Sequence, residues 1–254
     1  MRIVYQTLLI SLLLSSCSDI KTSEKDLEKD TNEDIENQTV EEMAHRHVQS
    51  QLSIPSTEKY SLKIYKEHLD GDTKIDAVIT VNRLEYALNE AKKSGKYEQL
   101  KEVGFIGSYN YIFYFDGGLN QISPAINCPS SPGGELIVNF ENILTDVFKD
   151  ILIDYKIRNS SFRNYYSVVN HTPKQIFQWK LYDYLGEKNT EANFIEYTTG
   201  STSLAKDILI YEGELMNSKG VNDIYNFNPE ISKKGKLLHR FFFLENEGKY
   251  FTKK

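Results

Sequence analysis

Two stretches of this chain combine residue types and spacings that could do chemistry. The first is His68-Leu69-Asp70-Gly71-Asp72-Thr73-Lys74-Ile75-Asp76. Calcium takes six to eight oxygen ligands, so a short loop must aim several carboxylates at one point. Asp70, Asp72 and Asp76 would supply side-chain oxygens, Lys74 its backbone carbonyl, and Gly71 would ease the bend. The alternative is a polar β-turn whose acids face water. The second stretch is Arg158-Asn159-Ser160-Ser161-Phe162-Arg163-Asn164-Tyr165-Tyr166. Arg suits bidentate contacts with carboxylates, so Arg158, Asn159, Arg163, Asn164 and Tyr165 would form a ligand surface for sugars or carboxylates. The alternative is a strand–turn–strand corner in which Arg packs over Tyr.

Other residues offer less. Cys128 could serve as a nucleophile with His171 or His239 as its base, but Pro129 to Gly134 read more simply as a loop. Ser130 and Ser131 lack a nucleophile elbow. His45 and His47 stand two apart and do not share a helix face. The chain holds no Walker loop, no HExxH, no CxxC pair and no dinucleotide fingerprint.

The calcium stretch resembles the loops of FG-GAP and VCBS-like repeats, which read D-x-[DN]-x-D-G-x-x-D before an apolar strand. Asp70, Asp72 and Asp76 match that pattern; His68 and Thr73 depart from it. The resemblance implies a bound Ca2+ as cofactor. At the other end, Met1-Arg2, an apolar run to Leu14 and Ser15-Ser16-Cys17 form a secretory signal. Leu14-Ser15-Ser16-Cys17 resembles the lipobox of bacterial lipoproteins. That resemblance implies cleavage before Cys17, its acylation, and a lipid membrane as partner. Ser18 rather than Asp follows the cysteine, which by the same resemblance implies the outer membrane. Taken whole, the chain is similar to the lipoproteins abundant in Bacteroidetes.

The elements that must position these residues read as follows. Residues 18–50 are polar, lack aromatics and carry a net charge of −6. They cannot bury enough surface to offset ordering entropy. Residues 1–16 are thus a signal peptide, 17–51 an acidic flexible stalk with a helix near Val40–Gln51, and 52–254 one globular domain. Alternation places strands at Tyr60–Tyr65, Ala77–Val81, Tyr109–Phe115, Ile151–Ile157, Phe177–Leu181, Phe194–Tyr197, Ile208–Tyr211 and Arg240–Leu244. Asp116-Gly117-Gly118 and Glu245-Asn246-Glu247-Gly248 read as hairpin turns. Helical spacing appears at Leu84–Ala91, in a turn at Tyr97–Val103, and within Asn139–Lys149. Asp150-Ile151-Leu152-Ile153 echoes Asp207-Ile208-Leu209-Ile210, too briefly to signal duplication. The predicted fold class is α+β and β-rich, mostly antiparallel sheet with one or two helices, after a disordered N-terminal stalk.

The body after residue 50 is nearly neutral, at a net of −1, which argues against a nucleic-acid partner. Seventeen Tyr and 13 Phe suit cross-strand packing, with a glycan or peptide surface as the alternative. With Cys17 acylated, Cys128 stands alone and no disulfide forms. The expectation is a membrane-anchored cell-envelope lipoprotein with a non-enzymatic binding or scaffolding role for a protein or glycan partner. The alternative is an envelope hydrolase acting on glycan or peptide.

Overall fold

Runs of alternating or β-branched apolar residues become strands because each must bury a face. A computed structural model describes residues 39–185, 189–216 and 227–252. The signal peptide, Cys17 and the stalk up to residue 38 lie outside the described residues. The chain opens with α1 (Val40–Gln51) and continues into β1 (Ser61–Glu67), β2 (Asp76–Asn82), α2 (Leu84–Lys93), α3 (Tyr97–Glu102), β3 (Asn110–Asp116), β4 (Gln121–Ile122) and β5 (Ile126–Cys128). Then come β6 (Ile137–Glu141), β7 (Asp150–Ile157), β8 (Ser160–Val169), β9 (Thr172–Asp183), β10 (Glu191–Thr198), β11 (Asp207–Leu215), β12 (Ile231–Leu244) and β13 (Lys249–Phe251). The β-rich, antiparallel class expected from the sequence is observed.

Two sheets carry the domain. The first has the order β1-β2-β3-β4, with β5 also on β3; the second runs β13-β12-β11-β10-β9-β8-β7-β6. Strand β2 is buried from Asp76 to Val81 because both of its faces are covered. Ala77, Ile79 and Val81, with Phe113 and Phe115 of β3, pack on α1 through Ala44 and Val48. Val78, Ile112 and Tyr114 face the other way, against Ile151, Ile153, Tyr155, Tyr166 and Val168 of the second sheet. The opposite face of β7–β9 presents Leu152, Tyr165 and Phe177 to Ile208, Ile210, Phe241 and Tyr250. The second sheet therefore curls until its last strand returns over β9, where Phe177 and Tyr250 lie with ring centroids 5.7 Å apart. The aromatic residues fill these layers, as cross-strand packing requires.

Two expectations change. Helix α1 is built into the core by the fully buried Ala44 and Val48, so the folded unit begins at Val40 rather than at residue 52. The helical stripe within Asn139–Lys149 is strand β6 followed by a loop. Phe140, Ile143 and Leu144 do turn inward, but pairing of Val138 to Ile153 and Phe140 to Ile151 puts the first half in a sheet. Tertiary pairing overrides the local period there.

The Asp-Ile-Leu-Ile echo marks a repeated device. Three hairpins have loops of equal length, 68–75, 142–149 and 199–206, and in each the strand after the loop opens on Asp. The pairs across the loop mouths are Glu67–Asp76, Glu141–Asp150 and Thr198–Asp207. All three Asp side chains are buried, and each accepts backbone N–H groups from its own loop. Leu69 donates to Asp76 at 3.0 Å, Ile143 and Leu144 to Asp150 at 3.2 and 2.7 Å, and Ser201 to Asp207 at 3.2 Å. A carboxylate closing a loop in this way replaces the turn's missing backbone bonds. The loops also join one another at one end of the domain. Lys149 N–H donates to the His68 carbonyl at 3.0 Å, and Lys206 N–H to the Ile143 carbonyl at 2.8 Å.

Candidate metal centre

Three elements bring acidic and imidazole groups together at that end. Asp70 comes from the first loop. Asp116 ends β3, where its Oδ1 accepts the Leu119 N–H at 2.7 Å and shapes the Gly117–Asn120 turn. His171 sits in the two-residue turn joining β8 to β9, where Asn170 and His171 have φ of +50° and +61°. Both positive φ values fit the tight turn that matches strand twist, and Asn enters that region readily. His171 Nδ1 lies 2.7 Å from Asp116 Oδ2 and 4.0 Å from Asp70 Oδ2. One ligand atom from each of Asp70, Asp116 and His171 falls within 4.8 Å of the others. Among the described residues this group can hold a metal ion. Asp116 is buried, Asp70 half-buried, and His171 exposed on one side, so the group is anchored below and open above.

The surroundings concentrate negative charge. Burial, then the charges of Asp76, Asp70 and Asp116, push the Tyr114 hydroxyl pKa well up. It therefore stays protonated and donates to Asp70 Oδ2 at 3.3 Å. Burial also raises the pKa of Asp76, against the Gly117 and Leu69 amides that pull it down. The first loop lies directly on the β3–β4 turn. A Cβ at Gly117 would stand 2.2 Å from the Ile75 carbonyl oxygen, and one at Gly118 would stand 2.0 Å from Asp72 Oδ2. At Gly117, where the neighbour is backbone, only glycine permits this approach; at Gly118 the Asp72 side chain would have to swing away.

Of the four residues expected to ligate, Asp70 alone belongs to the group. Asp76 turns inward, and both its oxygens accept backbone amides, from Leu69 at 3.0 Å and Gly117 at 2.9 Å. Asp72 Oδ1 accepts the Lys74 N–H at 2.6 Å, while its other oxygen reaches the rim beside Gly118. Lys74 contributes that N–H and lies exposed. Asp116 and His171 were missed. The Asp-Gly-Gly turn marked Asp116 as a strand end, but nothing in the sequence joins it to a histidine 55 residues away.

The second candidate stretch disperses. Arg158, with φ of +56°, and Asn159 form the β7–β8 turn. Arg163 makes a two-pronged ion pair with Asp154 at 2.6 and 2.8 Å. Burial works against its charge, but Asp154 outweighs burial and keeps its pKa above the ordinary value. Tyr165 is fully buried and meets the Tyr197 hydroxyl at 3.1 Å. Asn164 faces the opposite side of β8, donating to the Tyr166 hydroxyl at 3.1 Å. The ligand surface expected of these five is thus not one surface: alternation along β8 sends neighbours to opposite faces. Arg163 alone lines a cleft, of about 250 Å3, with Asp154, Asn193 and Ile231.

Cys128 is buried on β5 opposite Asn110, with burial pushing its thiol up to about 12. His171 sits at the Asp116 end of the same strand β3, six residues away, roughly 20 Å at strand rise. His239 stands among Trp179 and Phe241. No Cys–His pair forms from these residues. No helix among the described residues is long and apolar enough to cross a membrane. Comparison with family models, with curated proteins and with solved structures finds no match for this chain.

Proposed function

We propose that this is a lipid-anchored cell-envelope protein with a non-enzymatic binding or scaffolding role, its domain braced by one divalent metal ion. The anchor is acylated Cys17, and the membrane is the outer one. The observation that carries the metal reading is the convergence of Asp70, Asp116 and His171 from two hairpins of the first sheet and one of the second. An ion there would neutralise a crowded set of carboxylates. It would also tie the β8–β9 turn to the first sheet. His171 Nδ1 would give up its contact with Asp116 and coordinate instead.

Zn2+ is the ion this set favours, because it accepts imidazole and carboxylate together and needs few ligands. Ca2+ is the second reading. It needs more oxygens than Asp70 and Asp116 supply, and Asp72 at the rim beside Gly118 is the further source. Zn2+ and Ca2+ titrated separately into the EDTA-stripped mature chain in detergent, followed by calorimetry, decide between them. Tight Zn2+ binding lost in His171→Ala supports the first. Ca2+ binding lost in Asp72→Asn but kept in His171→Ala supports the second. No heat with either ion ends the metal reading. Mass spectrometry of the mature N-terminus tests the anchor separately, and a start other than acylated Cys17 ends that part.

A further inference from the structure

The three joined loops also define an end of the domain, and two apolar side chains stand out on it. Among the described residues with large exposed apolar side chains, Leu204 is 97% exposed and Val147 80% exposed, the two highest values. Each occupies the sixth place of its loop, in 199–206 and 142–149. The loops are neighbours. Lys206 N–H bonds to the Ile143 carbonyl, and Lys206 Nζ lies 3.7 Å from Asp146 Oδ1. The strands behind them, β7 and β11, are packed face to face, at about 10 Å for stacked sheets. Ile75 and Leu119, both exposed, extend the apolar surface toward the metal group.

The same end receives the chain from the N-terminus. Helix α1 finishes at the far end of the first sheet, where Arg83 Nη1 donates to the Leu52 carbonyl at 3.4 Å just past β2. At mid-helix, His47 Nε2 lies 3.1 Å from the Ser123 carbonyl oxygen. Met43, Arg46, His47 and Ser50 line a cleft with Asn120, Gln121 and Ile122 along the helix. From Leu52 at the Arg83 end to His47 at Ser123, beside Tyr114, the helix runs away from the loop end, and Val40 is its loop-side start. The segment from Cys17 to Thr39 spans at most about 75 Å at full extension, and it meets the domain on the side that carries Val147 and Leu204.

We propose that this loop end is a lipid-docking face, with Val147 and Leu204 as its apolar contacts on the membrane surface. The inference rests on the Cys17 anchor reading. Acyl chains on one cysteine fix the protein to the membrane but not its orientation, whereas exposed apolar tips beside the tether's entry give the domain a preferred side. The metal group then faces the headgroup region.

The test uses the full acylated chain in vesicles of phosphatidylethanolamine and phosphatidylglycerol. Val147→Cys, Leu204→Cys and Glu98→Cys are labelled singly with an environment-sensitive dye; Glu98 is exposed on α3, in the segment that leaves and rejoins the first sheet at its Asn82–Asn110 end, away from the loops. Buried Cys128 stays unlabelled. The expected result is a blue shift at 147 and 204, quenching there by lipid-borne nitroxide, and quenching at 98 by aqueous iodide alone. Equal iodide access at all three positions overturns the proposal. So does dimming at 204 that rises with protein density at fixed lipid, which assigns the face to a second copy. Mass spectrometry on the same sample separates the causes. Acylated Cys17 with wet probes removes this inference alone, and unacylated Cys17 removes the anchor reading and this inference with it.

Discussion

The loop at 68–75 and the loops at 142–149 and 199–206 are the same length, close on the same buried Asp, and sit side by side, yet they carry different side chains. At the third place stand Asp70, Leu144 and Ser201; at the fifth, Asp72, Asp146 and Ser203. The second and third loops close without an acid at the third place. Asp70 shapes its loop locally, accepting the Asp72 N–H at 2.9 Å, but it does not close the hairpin, whereas Asp76, Asp150 and Asp207 do. A carboxylate that closes a hairpin thus differs from one whose Oδ2 meets the Tyr114 hydroxyl and faces the metal group. The contrast also corrects the calcium-loop expectation, because the last Asp of that motif is the structural one.

Removing the loop-closing carboxylates has the largest expected effect on that comparison. Asp76→Ala and Asp150→Ala each leave one buried and one half-buried amide without an acceptor. At ~1–3 kcal/mol for the buried donor and less for the half-buried one, each variant loses about 2–4 kcal/mol of unfolding free energy, read as a lower urea midpoint. If Asp76→Ala in metal-free protein is harmless while Asp150→Ala is not, the loops are not equivalent.

Next comes the ion. At a free concentration a hundredfold above its dissociation constant, a metal bound only to the folded state adds about 2.7 kcal/mol. The melting temperature should rise in the wild type and in Asp146→Asn, but not in His171→Ala or Asp116→Asn. A rise that survives both of the last two places the ion elsewhere.

A smaller effect follows from making the first loop like the third. Asp70→Ser removes the acceptor of the Tyr114 hydroxyl, at about 1 kcal/mol, and keeps a hydroxyl oxygen in place of the one that accepts the exposed Asp72 N–H. It should abolish the metal-dependent shift while leaving the circular dichroism spectrum intact. Loss of the fold instead would make Asp70 structural and erase the contrast.

The smallest effect is in pH. Burial raises the Asp150 pKa above its ordinary value, against the amides that bond it. A group whose folded pKa is raised binds its proton more tightly when folded. Its contribution is therefore fully present below the unfolded value, near about 3.9, and is lost as pH rises through the folded value. Asp150→Asn keeps an oxygen for the two amides and carries no charge. Its urea midpoint should fall less than that of the wild type between about pH 4 and pH 7. An unchanged slope would show that Asp150 is not the group responsible.

Much of the architecture was legible residue by residue. Ala77–Val81, Tyr109–Phe115, Ile151–Ile157 and Ile208–Tyr211 read as strands because burial on one or both faces imposes a pattern within a few residues. Helix α2 read as a helix for the same reason at a different period. The stripe at Phe140, Ile143 and Leu144 misled, since a strand followed by an inward-turned loop can mimic helical spacing. Val40–Gln51 read as helix but was assigned to the stalk, because two small buried residues, Ala44 and Val48, give little hydrophobic signal. For the site, the first loop pointed to Asp70 and to metal chemistry, but not to Asp116 or His171.

The sequence by itself determined the local matters: which segments extend, where hairpins turn, and that a short acidic loop precedes a buried strand. Tertiary structure alone decided which Asp turns inward to close the loop, and that His171 meets Asp70 and Asp116. The reason is physical. A strand's pattern is set by neighbours two residues apart, and a hairpin's by its own turn. A metal-binding group depends on two sheets stacking in one register, and nothing within a dozen residues of Asp70 encodes that.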